Sequence, residues 1–180
     1  MAILIDRMIR ASKLDVSLYE EVEADKGSMG QAATVVVLSS VAAGVGSLGV
    51  FGIEGLIFTT IGALIGWLIW AFLTFIIGTK LLPEAGTKAD LGEMLRTIGF
   101  SSSPGVLRIL GIIPVAGAII SFAVGIWMLV AMIIAVKQAL DYKSTWRAVG
   151  VCLIGFVVYF VIMYFILTLI GVNPAAVPTS

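Results

Sequence analysis

The sequence predicts an all-α fold: a polytopic integral membrane helical bundle with about five membrane segments, a short broken third segment and an N-terminal amphipathic helix. The first observation behind this prediction is composition, since 60% of the residues are hydrophobic and only 12% are charged, against roughly 25% charged in soluble domains. The second is a series of apolar stretches long enough to cross a hydrocarbon core of about 30 Å. The third is the position of the basic residues between those stretches.

The basic residues predict the orientation of the chain. Every Lys and Arg except Arg108 falls in one of three segments, residues 1–30, 79–103 and 137–147. Because cytoplasmic loops of membrane proteins are enriched in Lys and Arg, this pattern predicts a multi-pass protein of the cell membrane with a cytoplasmic N-terminus and a C-terminus outside. The formal net charge of +0 is a sum over segments with different surroundings, and no nucleic-acid partner is predicted.

Residues 1–29 are predicted to be a cytoplasmic amphipathic N-terminal segment. Residues 2–13 place apolar side chains at i, i+3 and i+4 with charged side chains between them, which indicates an amphipathic helix. Such a helix either lies in the lipid headgroup layer or packs against cytoplasmic loops of the same chain, and the sequence leaves both alternatives open. A second short helix is predicted to start at Ser17, with the Ser17 hydroxyl as its N-cap.

Two spanning helices follow. Residues 30–51 are rich in small side chains, which let helix backbones approach closely. A glycine-containing turn at 52–55 is predicted to lead into a second helix at about 55–78. This second helix contains Gly62 and Gly66 at GxxxG spacing, a candidate helix-packing motif, first within the bundle and second between two copies of the chain.

The apolar stretch 105–136 is too long for one crossing. As a single helix it would run about 48 Å, against a hydrocarbon core of about 30 Å. A single crossing would also move the basic residues that follow it to the outer side. Pro114 and Gly117 supply a break, so the sequence predicts a helical hairpin with a short arm at about 105–116, which need not span, and a longer helix at about 118–140.

A last helix is predicted at about 147–171. Residues 30–171 therefore form the predicted five-segment membrane domain, and residues 172–180 form a short uncharged tail on the outer side. The single cysteine, Cys152, lies within the last helix and is predicted to be a small core residue, since a lone cysteine cannot form an internal disulfide.

Short motifs at this point resemble one family. Residues 95–104 read Leu-Arg-Thr-Ile-Gly-Phe-Ser-Ser-Ser-Pro. Within them Gly99, Phe100 and Pro104 are similar to the Gly-Tyr-xxx-Pro element of the Yip1 domain family, with Phe in place of Tyr. The order of the apolar segments adds to the resemblance, which covers about residues 10–170 and is to the bacterial form of the family.

The resemblance implies a five-helix integral membrane protein with no known chemistry. Eukaryotic relatives also carry an Asp-Leu-Tyr-Gly-Pro motif that is linked to binding small GTPases of vesicle traffic. That motif is absent here, and the similarity to it is only distant at residues 15–19, which read Asp-Val-Ser-Leu-Tyr. We therefore do not expect the GTPase-binding role in this chain.

Arg108 is the candidate site residue that the charge pattern singles out. A cation inside an apolar stretch costs about 2.5–3.5 kcal/mol at mid-membrane on insertion scales. Arg108 lies four residues after Pro104, so its side chain can extend to the lipid headgroups and contact lipid phosphate. The alternative is an ion pair within the bundle.

The residue inventory predicts no enzyme and no cofactor. The chain has no histidine and one cysteine, which excludes histidine-ligated metal or haem, thiolate clusters and the usual Ser/His or Cys/His pairs. The sequence also lacks a Gly-rich phosphate loop and a nucleophile elbow. The predicted partners are membrane lipids and either other proteins or further copies of the chain.

Two classes of function remain. The first is a non-catalytic integral membrane scaffold or adaptor, in membrane organisation or as an accessory subunit of a larger membrane complex. The alternative is a small transporter, channel-like or lipid-handling membrane protein. The broken segment at 105–116 favours the second class, whereas the absence of a carboxylate near the centre of any predicted span favours the first.

Overall fold

A computed structural model describes residues 2–46, 48–113 and 116–169 of the chain, with the side chains of 48–55, 163 and 167 outside that description. The described residues form seven α-helices: α1 Ala2–Ser12, α2 Val16–Ala24, α3 Met29–Gly46, α4 Leu48–Ile76, α5 Leu91–Ser101, α6 Ala116–Ala139 and α7 Thr145–Leu169. Shorter helical turns are a 3-10 turn at Lys26–Ser28, a π-helical turn at Ile77–Leu81 and a longer 3-10 helix at Ser103–Ile112.

Four stretches among the described residues are long and apolar enough to cross a membrane. They are Lys26–Gly46, Leu56–Leu81, Ala116–Ala139 and Thr145–Ile166, with mean hydropathy from 1.5 to 2.7. With 21 to 26 residues each, they extend about 31–39 Å at 1.5 Å per residue. The chain is therefore an all-helical membrane protein with four candidate spans, and the predicted count of five spanning segments goes beyond what these helices show.

The predicted turn at 52–55 is wrong. The backbone of these residues is helical and belongs to α4, and α3 already ends at Gly46. The glycines at positions 52 and 55 suggested a turn. In an apolar environment a continuous helix satisfies every backbone N–H and C=O internally, so the helical hydrogen bonds outweigh the intrinsic preference of glycine.

The third predicted segment is the 3-10 helix Ser103–Ile112. Its ten residues extend about 20 Å at 2.0 Å per residue, which is too short to cross the hydrocarbon core. Pro114 lies outside the described residues. Gly117 lies in the first turn of α6, where an added Cβ would be 2.2 Å from the carbonyl oxygen of Gly111. Glycine at 117 therefore lets the two arms of the hairpin touch, as the hairpin prediction requires.

The charged segments meet at one end of the bundle. We call α1, α2 and α5 the cap. Side chains from α1, α2, α3, α5 and α6 share a buried cluster there, composed of Ala11, Leu18, Tyr19, Val22, Ala32, Val35, Phe100 and Ala135. A second cluster joins α5 to the last turns of α6 and to α4 and α7, and includes Met94, Ile98, Val136, Leu140 and Tyr142. The three basic segments of the sequence therefore lie at the same end of the molecule.

The helix ends of the cap depend on aspartates. The N-cap of α2 is Asp15, whose carboxylate accepts hydrogen bonds from the Ser17 N–H at 3.0 Å and the Ser17 hydroxyl at 2.7 Å. The prediction that Ser17 caps this helix is therefore wrong, because Ser17 already lies inside its first turn. Asp90 caps α5 in a capping box with Glu93, which stabilises the helix start at both backbone N–H groups.

The domain boundaries at residues 29 and 171 stay predictions. The cap shares its buried cluster with α3 and α6, so residues 1–29 pack as part of the same body as the start of the membrane helices. The predicted tail at 172–180 lies outside the described residues.

Candidate functional site

Charged side chains hold α1 onto α2. The Arg7 guanidinium donates from Nε to the Glu21 carboxylate at 2.9 Å, from Nη2 to Asp25 at 2.9 Å and from Nη1 to the Gln31 side-chain oxygen at 3.0 Å. Arg7 is only 8% exposed. A buried arginine needs such partners because an unpaired buried charge is costly.

Arg10 extends the same network. Its Nε donates to the Asp15 carboxylate at 2.9 Å and its Nη1 to Glu21 at 2.6 Å. The hydrogen bond from Arg10 holds the pKa of Glu21 below its ordinary value, and the hydrogen bond from Arg7 does the same for the pKa of Asp25. Both acids therefore stay ionised at neutral pH, and the attachment of α1 is maintained.

Arg96 closes the cap from the side of α5. It is 4% exposed, its Nε donates to the Val22 carbonyl at 2.9 Å, and its Nη2 donates to the Glu23 carbonyl. These carbonyls belong to the last turn of α2, where helical partners are lacking and the helix dipole favours a cation. Arg96 thus satisfies the C-terminal end of α2 and fixes the angle between α2 and α5.

The cap also holds a carboxyl group with an unusual protonation equilibrium. Burial first, and then the neighbouring carboxylates of Asp141, Glu93 and Glu20, raise the pKa of Glu23 to about 7 against the opposing effect of Arg96. These four acids come from α2, α5 and the turn between α6 and α7. Together they make one acidic surface on the cap, which we call the acidic patch.

The turn after α6 is held to the end of α4. The Tyr142 hydroxyl donates to the carbonyls of Gly78 at 2.9 Å and Leu82 at 2.7 Å. The Glu84 carboxylate accepts the Lys143 N–H at 3.0 Å and pairs with Arg147 at 3.3 Å. The last two basic segments are therefore joined by direct contacts as well as by shared packing.

The family-like motif forms the joint between the cap and the hairpin. A Cβ added to Gly99 would lie 2.7 Å from the Cβ of Ala32, so glycine there permits close approach of α5 and α3. Phe100 is fully buried in the cap cluster. Pro104 is fully buried in the first turn of the 3-10 helix, where it has no need of a backbone donor. The geometry gives all three residues a structural role.

The two glycines of the GxxxG motif have different surroundings. A Cβ added to Gly62 would meet nothing within 4 Å, and Gly62 is exposed. Gly66 lies near the Tyr159 hydroxyl, 3.8 Å from where its Cβ would be. Within the described residues the bundle therefore does not pack tightly on either glycine. Of the two predicted roles, packing within the bundle and contact between two copies of the chain, the exposed surface at Gly62 leaves room for the second.

A cavity of about 420 Å³ lies between α3, α4, α5 and α6. Its wall is mostly apolar and includes Trp67, Trp70 and Gly66 of α4. Trp67 donates its indole N–H to the Leu95 carbonyl at 3.0 Å. Trp70 is 8% exposed, and its indole N–H has no hydrogen-bond partner among the described residues.

Arg108 projects into this cavity from the 3-10 helix. Its Nη2 would be 3.7 Å from a Cβ on Gly125 of α6, so the guanidinium lies against the glycine on the opposite wall. None of the described cavity-lining residues is acidic, and no ion pair to Arg108 occurs within the described part of the chain. Arg108 therefore faces the interior of the bundle, and the predicted ion pair is not seen among these residues.

Sequence reasoning missed the cavity and the charged network of the cap. The basic residues of the cap entered the sequence argument only as indicators of orientation. Arg96 carried no signal in the sequence, since in an α-helix it lies off the face that Leu95 and Ile98 share. The serines that line the cavity gave no signal, because serine is common in tightly packed membrane helices.

The chemistry that these sites offer is binding. The described residues contain no group of three or more His, Cys, Asp or Glu side chains that could hold a metal ion. Cys152 is 2% exposed and unpaired, as the sequence predicted for a small core residue. What remains is a charged, internally fixed cap and a cavity with one cation.

Comparison with known proteins gives one match. A family model described as the Yip1 domain matches residues 17–165, from the first turn of α2 into α7. No curated protein and no solved structure matches the chain.

Proposed function

The chain belongs to the Yip1 domain family, and on that premise we propose that it acts as a non-catalytic membrane scaffold or adaptor. Its membrane helices hold the cap at one end of the bundle, and the cap presents a fixed polar surface to a partner protein. We place this surface in the cytoplasm of a cell, because the basic segments of the chain lie at the capped end.

The observation that supports this role is the acidic patch. The four acids come from three separate elements, yet the charges of Glu20, Glu93 and Asp141 all act on Glu23. Glu20 and Asp141 are exposed. Buried Arg96 fixes α2 to α5, and Tyr142 holds the turn that carries Asp141. A partner therefore need not order the surface on binding, which lowers the entropic cost of association.

The partner that this surface fits is a basic segment of another membrane-associated protein. Charge complementarity would direct the encounter and fix its orientation. The exposed cations Lys26, Lys88 and Lys143 each lie within five sequence positions of an acid of the patch, and we expect them to limit the complementary region of the partner to a short basic stretch.

Crosslinking tests this proposal in the full chain. The double variant Glu20→Lys/Asp141→Lys reverses the exposed charges of the patch, and Asp6→Lys reverses an exposed charge on α1 as a matched control. We expect a specific crosslinked partner that is lost in the double variant and kept in the control. If the wild type has no specific partner and reconstituted vesicles show saturable flux of a solute, the transporter alternative replaces this proposal.

A further inference from the structure

The cavity that contains Arg108 has the composition of a ligand site. Its volume of about 420 Å³ lies in the range of about 300–1,000 Å³ that is typical of small-molecule sites, which combine apolar walls with a few polar groups. The polar groups here converge from different elements, since Ser39 comes from α3, Ser102 from the junction after α5, and Arg108 from the 3-10 helix.

The positive charge of Arg108 in the cavity favours an anionic ligand. Arg108 has no acidic partner among the described lining residues. The side-chain hydroxyls of Ser39 and Ser102 donate no hydrogen bond to a described residue, whereas the hydroxyls of Ser40 and Ser101 already donate to the carbonyls of Val37 and Ile98. A guanidinium and two hydroxyls that line the same cavity match the oxygens of a phosphate group, which arginine binds through two parallel N–H donors.

A second unsatisfied donor lies in the same wall. The indole N–H of Trp70 is buried without a partner in the described part of the chain, and buried polar groups in native proteins normally have one. The Trp70 ring itself packs on Phe156, with ring centroids 4.6 Å apart, so its position is fixed by α7. The Trp70 indole is therefore a fixed part of the cavity wall, and its buried N–H has no partner among the described residues.

The opening of the cavity faces the apolar surface of the bundle. Thr59 of α4 and Leu129 of α6 line the cavity and are exposed. On α4 the neighbouring exposed residues are Phe58, 76%, and Ile61, 54%, and on α6 Ile126 is 50% exposed. A ligand that enters here comes from the hydrocarbon layer, so it carries an acyl chain.

We propose that this cavity binds one anionic phospholipid, with the lipid phosphate on Arg108 and an acyl chain along the apolar walls of α4 and α6. The Arg108 guanidinium gains a counter-ion that the described residues do not supply, which offsets the cost of a cation inside the bundle. This site is separate from the acidic patch of the cap, and the proposal does not depend on partner docking there.

Tryptophan quenching by brominated lipids tests the site. Trp67 and Trp70 line the cavity, so with Trp127 and Trp146 replaced by Phe, quenching by brominated acyl chains reports on the cavity. In neutral detergent micelles we expect brominated phosphatidylglycerol to quench at about tenfold lower concentration than brominated phosphatidylcholine. Arg108→Gln should abolish this preference, because a hydrogen bond to a charged group contributes about a factor of ten or more in affinity.

The control is Lys80→Gln, which removes an exposed cation outside the cavity and should keep the preference. A second variant, Ala63→Leu, fills the cavity while retaining Arg108 and should reduce quenching by both lipids. If Arg108→Gln retains the preference, the proposal is overturned. Displacement of the brominated lipid by millimolar inorganic phosphate, or equal quenching by a brominated fatty acid, would also overturn it, since the ligand would then be a soluble anion or a carboxylate.

Discussion

The close approach of α5 to α3 at Gly99 leads to a quantitative prediction for Gly99→Ala. The added Cβ would lie 2.7 Å from the Ala32 Cβ and 3.2 Å from two Ala32 backbone atoms, whereas carbon atoms pack best at about 3.5–4.0 Å. The two helices must therefore separate by about 1 Å. Because the atoms that clash are part of or bonded to backbone, no side-chain rotation can relieve the contact, and overpacking of this kind costs about 1–3 kcal/mol.

Gly62→Ala is the matched control for this change. Both glycines lie inside helices, so both substitutions gain about 1 kcal/mol of helix propensity. Only Gly99 has a neighbour within 4 Å of the new Cβ. The difference in stability between the two variants therefore isolates the steric cost, and Gly99→Ala should unfold several °C below Gly62→Ala, at about 2–4 °C per kcal/mol for a chain of this size.

The assay is thermal unfolding of the purified full chain in mild detergent, followed by tryptophan fluorescence. Ala32→Gly removes one of the clashing atoms, so the double variant Ala32→Gly/Gly99→Ala should recover part of the loss, a coupling expected of residues in contact. Equal midpoints for the Gly99 and Gly62 variants would refute the argument, because they would mean that α3 and α5 can separate at no cost.

Three further predictions concern charge. Folding raises the pKa of Glu23 to about 7, so the folded state binds the carboxyl proton more tightly than the unfolded state does. The free energy of unfolding should therefore fall as pH rises from about 5 to 8, by on the order of 1–2 kcal/mol after solvent screening. Glu23→Gln should flatten that part of the curve of thermal midpoint against pH. Arg96→Met leaves two carbonyls of α2 unsatisfied and should destabilise the chain by about 2–4 kcal/mol. The exposed control Lys88→Met should leave the thermal midpoint unchanged. Equal midpoints for the two variants would contradict the proposed bonding of Arg96 to the end of α2. A cysteine at position 180, on a chain with Cys152 replaced, should react with impermeant thiol reagents in intact cells, and reaction only after lysis would reverse the predicted topology.

The sequence predicted the large elements of the fold well because their signals are strong. Apolar length and basic loops mark α3, α4, α6 and α7 to within a few residues at most ends. The short hairpin arm followed from length, charge parity and the break at Pro114 and Gly117. Helix ends were predicted less well. The turn at 52–55 was misplaced because local glycine preference competes with the need to satisfy the backbone in an apolar medium.

The candidate sites were predicted only in part. The charge pattern singled out Arg108. The direction of its side chain, however, depends on which face of a 3-10 helix Arg108 occupies, and α-helical periodicity cannot predict that face. The bond from Arg96 to the end of α2 joins residues more than seventy positions apart, a separation at which no local pattern carries information. Gly99, Phe100 and Pro104 were recognised by resemblance, and only their packing explains why those residue types are needed.

The type of helix at Ser103–Ile112 has a mechanical consequence for Arg108. A 3-10 helix turns about 120° per residue and an α-helix about 100°. Over the five residues from Ser103 to Arg108 the two differ by about 100° of rotation, and over the whole segment by about 5 Å of length. Rewinding this segment as an α-helix, with Ser103 held by the cap, would swing the guanidinium a quarter turn around the axis and draw the far end of the hairpin toward the cap. The direction of the Arg108 side chain is thus coupled to the pitch of these ten residues.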